Sequence, residues 1–204
     1  MRHSLAVADS RQQRAGLALV VALVSLASEA LGDSATALLR FDRAAILDGE
    51  GWRLLTGNLV HLGWNHLLLN LAGLALIGWL VGPALSPTRW LIVFLVSSLS
   101  VTVGLLLWNP ELRWYVGLSG TLHGLLLAGL LAEMDEADRI PWLLLAGIVA
   151  KLGWEQAWGP SASTEALVGG NVVVDSHLYG AVGGAVVGLL FWGWDRRRGQ
   201  DPHG

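Results

Sequence analysis

Residues 90–108 read WLIVFLVSSLSVTVGLLLW; from Trp90 to Trp108 there is neither a charge nor a proline. A membrane-spanning helix needs about 20 mostly apolar residues, and this stretch supplies them. Five more of the same kind lie around it: Ala15–Leu31, Trp64–Val81, Leu118–Ala132, Ile140–Trp158 and Ser176–Trp194. The connections carry helix-ending residues: Gly82-Pro83 to Pro87, Asn109-Pro110, Glu133 to Asp138 and Gly159 to Gly170. The composition agrees. Of 204 residues 53% are apolar and only 14% charged, with a mean hydropathy of +0.54, whereas a soluble domain is about 25% charged. A net charge of -3 builds no large basic surface, which excludes a nucleic-acid partner. The absence of cysteine excludes disulfides, thiolate metal sites and cysteine nucleophiles. The 26 glycines suit a helical membrane protein, in which small residues let backbones approach closely.

The expectation is an all-α polytopic membrane protein with six spans. Residues 15–194 form one domain, between cytoplasmic tails at 1–14 and 195–204. Six spans put both termini on one side of the membrane. That side holds Arg2, Arg11, Arg14, Arg89, Arg139 and Arg196–Arg198; the other holds Arg40, Arg43, Arg53 and Arg113. The excess places the termini in the cytoplasm. A competing reading makes Arg11–Ala30 a cleaved signal peptide. The segment Gly32–Gly63 mixes apolar residues with charges, and reads as short helices lying at the outer interface. Many of the eleven tryptophans fall near span ends, where the ring anchors at the interface.

Polar groups inside spans are costly and mark functional sites by default. Here they are Glu29, His66, Asn70, Ser119, His123, Lys151, Glu155 and His177. The second span runs inward, and the fourth and sixth start outside. His66, Asn70, Ser119 and His177 therefore share the outer leaflet, as a wet cavity would require. His66 and Asn70 are i,i+4 and share a face. His177, Gly180, Gly184 and Gly188 fall within about 80° of arc, a stripe that brings a partner helix close to His177.

Ser119 sits in Tyr115-Val116-Gly117-Leu118-Ser119-Gly120-Thr121-Leu122-His123-Gly124. A serine alcohol becomes a nucleophile when a base takes its proton, and histidine is the usual base. At a helix N-terminus it also has free backbone N–H groups beside it, which can hold an oxyanion. His66 and Asn70 could add donors. A plain helix cap is the bland alternative for Ser119.

At these residues the chain resembles the rhomboid intramembrane serine proteases. Their pattern is His-x-x-x-Asn on the second helix, Gly-x-Ser-Gly at the start of the fourth, and Ala-His-x-x-Gly-x-x-x-Gly on the sixth. Here it reads His66 to Asn70, Gly117-Leu118-Ser119-Gly120 and Ser176-His177 to Gly184, with Ser176 in place of the alanine. The resemblance runs from about Gly51 to Trp194. It implies a six-helix bundle with a short central fourth helix and an interfacial helical first loop. It also implies a dyad of Ser119 as nucleophile and His177 as base, with His66 and Asn70 on the oxyanion. The substrate would be a single-span protein cut near small residues. No metal or organic cofactor is implied.

Within that family the compact build resembles the rhombosortase branch. The cues are His123 four residues after the serine, Lys151-Leu152-Gly153-Trp154-Glu155-Gln156, and Asp175-Ser176-His177-Leu178-Tyr179-Gly180. The branch implies exported bacterial substrates with a C-terminal tail of Gly-Gly, an apolar helix and basic residues. The protein would then lie in a bacterial inner membrane, its site opening to the periplasm.

Several residues keep competing readings. His123, one turn below Ser119, could serve as base, although an i+4 neighbour leaves little room for a substrate carbonyl; a supporting polar role fits better. Asp175 is two residues from His177 and does not face it, so it reads as a first-turn acid. Lys151 and Glu155 are i,i+4 and should pair; Glu155 could also bind substrate. Gly117 could line the substrate path. His61 reads as interfacial. Other functional readings are a catalytically inactive rhomboid-like binder of membrane helices, and a metal or haem protein built on His66, His123 and His177, which no H-E-x-x-H spacing supports.

Overall fold

The computed structural model describes residues 2–134 and 138–200. Along the chain the elements are α1 (Arg2–Ala30), α2 (Asp33–Leu39), β1 (Phe41–Asp42), α3 (Arg43–Leu47), α4 (Arg53–Thr56), α5 (Trp64–Leu80), a 3-10 turn at Gly82–Ala84, and α6 (Pro87–Trp108). There follow β2 (Trp114–Tyr115), α7 (Ser119–Ala132), α8 (Ile140–Trp158), α9 (Ala162–Val168) and α10 (Val174–Gln200). The six long helices are α1, α5, α6, α7, α8 and α10, and they coincide with the six apolar stretches. The molecule is an all-α integral membrane bundle. Residues Gln12–Ala30, Pro87–Trp108 and Val174–Arg197 are long and apolar enough to cross a bilayer, while α5 and α7 are shorter apolar helices. The segment 1–14, expected as a tail, is helical from Arg2, and α10 runs on into the expected 195–204 tail. Residues 201–204, with His203, and residues 135–137 of the acidic connection lie outside the described residues.

Inside the bundle, burial sorts the helices. α7 has 14 residues and buries ten of them, because α5, α6, α8 and α10 all pack around it. α8 buries only Pro141 and Leu152, and exposes Leu143, Leu144 and Val149 to what the bilayer would supply. The main core joins Val21 of α1, Leu74 of α5, Trp90, Val93 and Phe94 of α6, and Leu122, Leu125 and Ala128 of α7. Trp64, Trp79, Trp108, Trp142, Trp158 and Trp194 stand exposed near helix ends, as interfacial anchors do. Trp90 departs from that pattern. It is buried and stacked on Phe94 at 5.4 Å.

The closest packing joins α7 to α10. Gly120, Gly124 and Ala128 of α7 meet Gly180, Gly184 and Gly188 of α10, one turn apart on each helix, so the two run parallel. A methyl group built on Gly120 would stand 2.6 Å from the Ser176 carbonyl oxygen, and one on Gly124 would stand 2.5 Å from that of Gly180. The backbones touch where the sequence places its small residues.

Residues 32–63 do form short helices, and they do more than cover a surface. Arg43 donates to the carbonyls of Leu105 (2.7 Å), Asn109 (2.8 Å), Leu106 (2.9 Å) and Leu112 (3.0 Å). It thereby gives a donor to the Leu106 carbonyl, which Pro110 cannot serve, and a second donor to those of Leu105 and Asn109. Arg53 is buried and binds Glu50 at 2.6 Å and the carbonyls of Ala37 and Arg40. The buried Asn58 amide donates to Ser98 of α6 and its oxygen accepts from Thr121 of α7. β1 pairs antiparallel with β2, Phe41 opposite Tyr115. The first loop is thus clamped to the segment that leads into Ser119.

Candidate active site

That segment is shaped by Gly117. Its φ is +132°, a backbone conformation that suits glycine. Any Cβ there would also lie 2.9 Å from Cε1 of His66. The Gly117 N–H donates to the Gly57 carbonyl at 3.1 Å, and its carbonyl accepts from the Tyr115 hydroxyl at 2.7 Å. Burial pushes the Tyr115 hydroxyl up to about 12, so it stays a proton donor. Gly117 therefore acts as a backbone hinge fixed on both sides. The next residues turn into α7, with Leu118 at its N-cap and Ser119 as its first helical residue.

The parallel glycine ladder brings the starts of α7 and α10 to the same level. His177, on the first turns of α10 and only 5% exposed, reaches Ser119. The Ser119 hydroxyl donates to His177 Nε2 at 3.0 Å. On the other edge of the ring, His177 Nδ1–H donates to Glu155 Oε2 of α8 at 2.9 Å. The Lys151 ammonium donates to Glu155 Oε1 at 2.8 Å and to His123 Nε2 at 2.9 Å. His123 Nδ1–H closes the ring on the Ser119 carbonyl at 2.8 Å, and its ring stacks on that of His177 at 4.3 Å between centroids. Both nitrogens of His123 are thus engaged away from the Ser119 hydroxyl. Asp175 is occupied elsewhere, by the amide of Asn109.

His66 and Asn70 face the same space from α5. The Leu62 N–H donates to His66 Nδ1 at 3.3 Å. This leaves the proton on Nε2, as a donor. The Asn70 amide nitrogen is buried and without a hydrogen-bond partner among the described residues. Two donors without an acceptor beside a hydroxyl–imidazole pair suit an oxygen that acquires charge during a reaction. His61 differs from its interfacial expectation. It is 3% exposed and stands edge-on to His66 at 5.0 Å. Burial, with the neighbouring His66 ring, pushes it down to about 3, so it is neutral.

A cavity of about 280 Å³ joins these groups. His66, Asn70, Ser119, His123 and His177 line one side, and Thr164, Leu167 and Val168 of α9 the other. α9 was not foreseen from the sequence, although Ser161 caps it by accepting from the Thr164 N–H at 3.2 Å and Gly169 ends it in the left-handed conformation. The Ser-x-x-Thr and Gly-Gly spacing was the local signal. One atom each of His123, Glu155 and His177 lies within 4.8 Å of the others, a set that could hold a metal ion, and it includes Glu155 rather than His66. The Lys151 ammonium already occupies lone pairs on two of the three. Missed in the sequence were the reach of Glu155 to His177 and the bracing of Gly117 by Tyr115.

Fold and site together define a polytopic membrane protein holding a hydroxyl–imidazole pair within its helices, under a short helical cover. The chain belongs to the rhomboid family, whose domain matches residues 48–194. It is similar to the putative rhomboid protease YdcA of Bacillus subtilis (strain 168), with 27% identity over 145 residues, 71% of this chain and 69% of that protein. Similarity extends to rhomboid-like protease 5 of Toxoplasma gondii, 31% identical over 69% of this chain and 16% of that protein. It extends also to rhomboid protease GluP of B. subtilis (strain 168), 24% identical over 70% of this chain and 26% of that protein. The chain spans much less than half the length of the last two.

Proposed function

We propose that this protein is an intramembrane serine protease. The observation that carries the reading is the 3.0 Å contact between Ser119 Oγ and His177 Nε2, made inside a membrane bundle between two separate helices. Ser119 Oγ attacks a substrate carbonyl as His177 Nε2 takes its proton. The carbonyl oxygen becomes an oxyanion, received by the Ser119 N–H at the start of α7, His66 Nε2–H and the Asn70 amide. His177 returns the proton to the leaving amine, and an acyl-enzyme remains. Water then attacks the ester, giving its proton to His177, and release of the acid restores Ser119. The role of Gly117 in this scheme is to hold the nucleophile loop open beside His66. His123 supports the ring of His177.

The substrate class follows from the location. A peptide reaching this cavity comes from the bilayer, as a single membrane-spanning segment unwound near small residues. The rhombosortase-like cues, His123 after Ser119 and Lys151 with Glu155 on α8, support a C-terminal Gly-Gly sorting tail of exported proteins. The arginine distribution supports cytoplasmic tails at 1–14 and 195–204 with a six-span domain between them, and the rhombosortase resemblance implies a bacterial inner-membrane location with the site opening to the periplasm.

The test is purified protein in lipid nanodiscs, mixed with a tail-bearing substrate and, separately, with a fluorophosphonate. Cleavage near small residues and modification of Ser119 are expected, both lost in Ser119→Ala and His177→Ala. Undiminished cleavage by Ser119→Ala overturns the reading, and substrate co-purification without turnover by the unaltered protein would make it a binder.

A further inference from the structure

We propose that Glu155 is the orienting carboxylate of the Ser119–His177 pair, making a three-residue relay, with Lys151 as the cation that holds this carboxylate in place. The proposal rests on the serine-protease reading above.

The hydrogen-bond directions carry it. Glu155 Oε2 can only accept, so the proton of a neutral His177 sits on Nδ1, and Nε2 is left bare to accept from the Ser119 hydroxyl. A neutral imidazole can place its proton on either nitrogen. What selects Nδ1 here is Glu155 Oε2, at 2.9 Å, with side chains only 7% (His177) and 12% (Glu155) exposed. When Nε2 takes the serine proton, the ring becomes a cation beside a carboxylate that remains ionised, and no proton passes to Glu155.

The remaining bonds fall into line. Glu155 has a second oxygen, and Lys151 fills it. Lys151 also donates to His123 Nε2, which forces the His123 proton onto Nδ1, where the Ser119 carbonyl accepts it. Each of these ring donors has its acceptor, and the charges of Lys151 and Glu155 cancel. The charged and titratable groups facing His177 are then His123 of α7, Lys151 and Glu155 of α8, and His66 of α5 across the cavity. Helix electrostatics alone does not account for the Lys151–Glu155 pair. Lysine four residues before glutamate is the weaker order of an i,i+4 pair. A carboxylate this close to a buried imidazole is better explained by the imidazole.

Glu155 acts through His177 without touching substrate, so it is a positioning residue. In nanodiscs, E155Q should lower kcat by about 10²- to 10⁴-fold, with KM within about twofold of the unaltered enzyme. E155D should recover part of the loss. Proton NMR supplies the readout that a merely structural role would not move. A far-downfield Nδ1–H resonance is expected in the unaltered protein and in Ser119→Ala, and should vanish in E155Q and His177→Ala. A folded E155Q enzyme with unchanged kcat overturns the proposal. So does a folded unaltered protein that lacks the resonance, a measurement that stands even where E155Q does not fold. Cleavage surviving in Ser119→Ala would instead sink the serine-protease reading. Cleavage lost in Ser119→Ala but kept in E155Q removes the role of Glu155 alone.

Discussion

Gly124 of α7 and Gly184 of α10 lie backbone to backbone, so that a methyl group on Gly184 would overlap the Gly124 carbonyl. This contact is the middle rung of the ladder that sets how far Ser119 stands from His177. The hydroxyl–imidazole distance is therefore a property of helix packing about one to two turns below the site.

Gly184→Val should accordingly abolish fluorophosphonate labelling of Ser119 while every site residue remains. Overpacking of this kind costs about 1–3 kcal/mol, so the melting temperature in detergent should fall as well. Gly193 lies on the same helix with nothing within 4 Å of a built methyl. Gly193→Val should label and melt as the unaltered protein does. Equal labelling of both variants would show that the ladder does not set the geometry.

Asn70 makes the opposite kind of prediction. Its amide nitrogen is buried without a partner among the described residues, and an unsatisfied buried donor weakens the folded state. Asn70→Ala should leave the melting temperature unchanged or raise it. The same variant should lower kcat by about 10²-fold, the cost of one lost oxyanion donor. Steady-state cleavage and a thermal melt on one preparation decide the matter; a fall in stability without a fall in kcat would assign Asn70 to packing.

Arg43 tests the clamp on the nucleophile loop. Its guanidinium holds four carbonyls, three of them at the end of α6 and the fourth just beyond. Arg43→Gln should destabilise the protein by about 2 kcal/mol, since four charge-assisted bonds are lost and the Leu106 carbonyl is left without a donor. Arg113, exposed one residue before β2, provides the comparison. Arg113→Gln should leave the melting curve in place, and equal effects of the two changes would remove the special role of Arg43.

Local chemistry made much of this legible beforehand. The spans could be read because a bilayer demands apolar length, and the helices begin and end at the Gly, Pro and Asn residues that break them. The glycine stripe was visible because residues four apart share a helix face. His66 and Asn70 on one face, and Lys151 paired with Glu155, followed from the same periodicity. Other features were hidden. His61 looked interfacial because it precedes the span, and its packing against His66 five residues on depends on how the chain turns through Gly63. α9 looked like a loop because its cap, seven helical residues and terminal glycine are too short to carry an apolar period.

The sequence by itself determined an all-helical membrane bundle and the residues capable of chemistry, since hydropathy, helix breaks and i,i+4 spacing are properties of neighbouring residues. Tertiary structure decided which of those residues meet. Glu155 lies 22 positions from His177, and Ser119 lies 58. No local rule says that one carboxylate oxygen turns to Lys151 and the other crosses to α10. That follows from how closely α7, α8 and α10 approach, and close approach is a matter of which backbones carry no side chain where they touch.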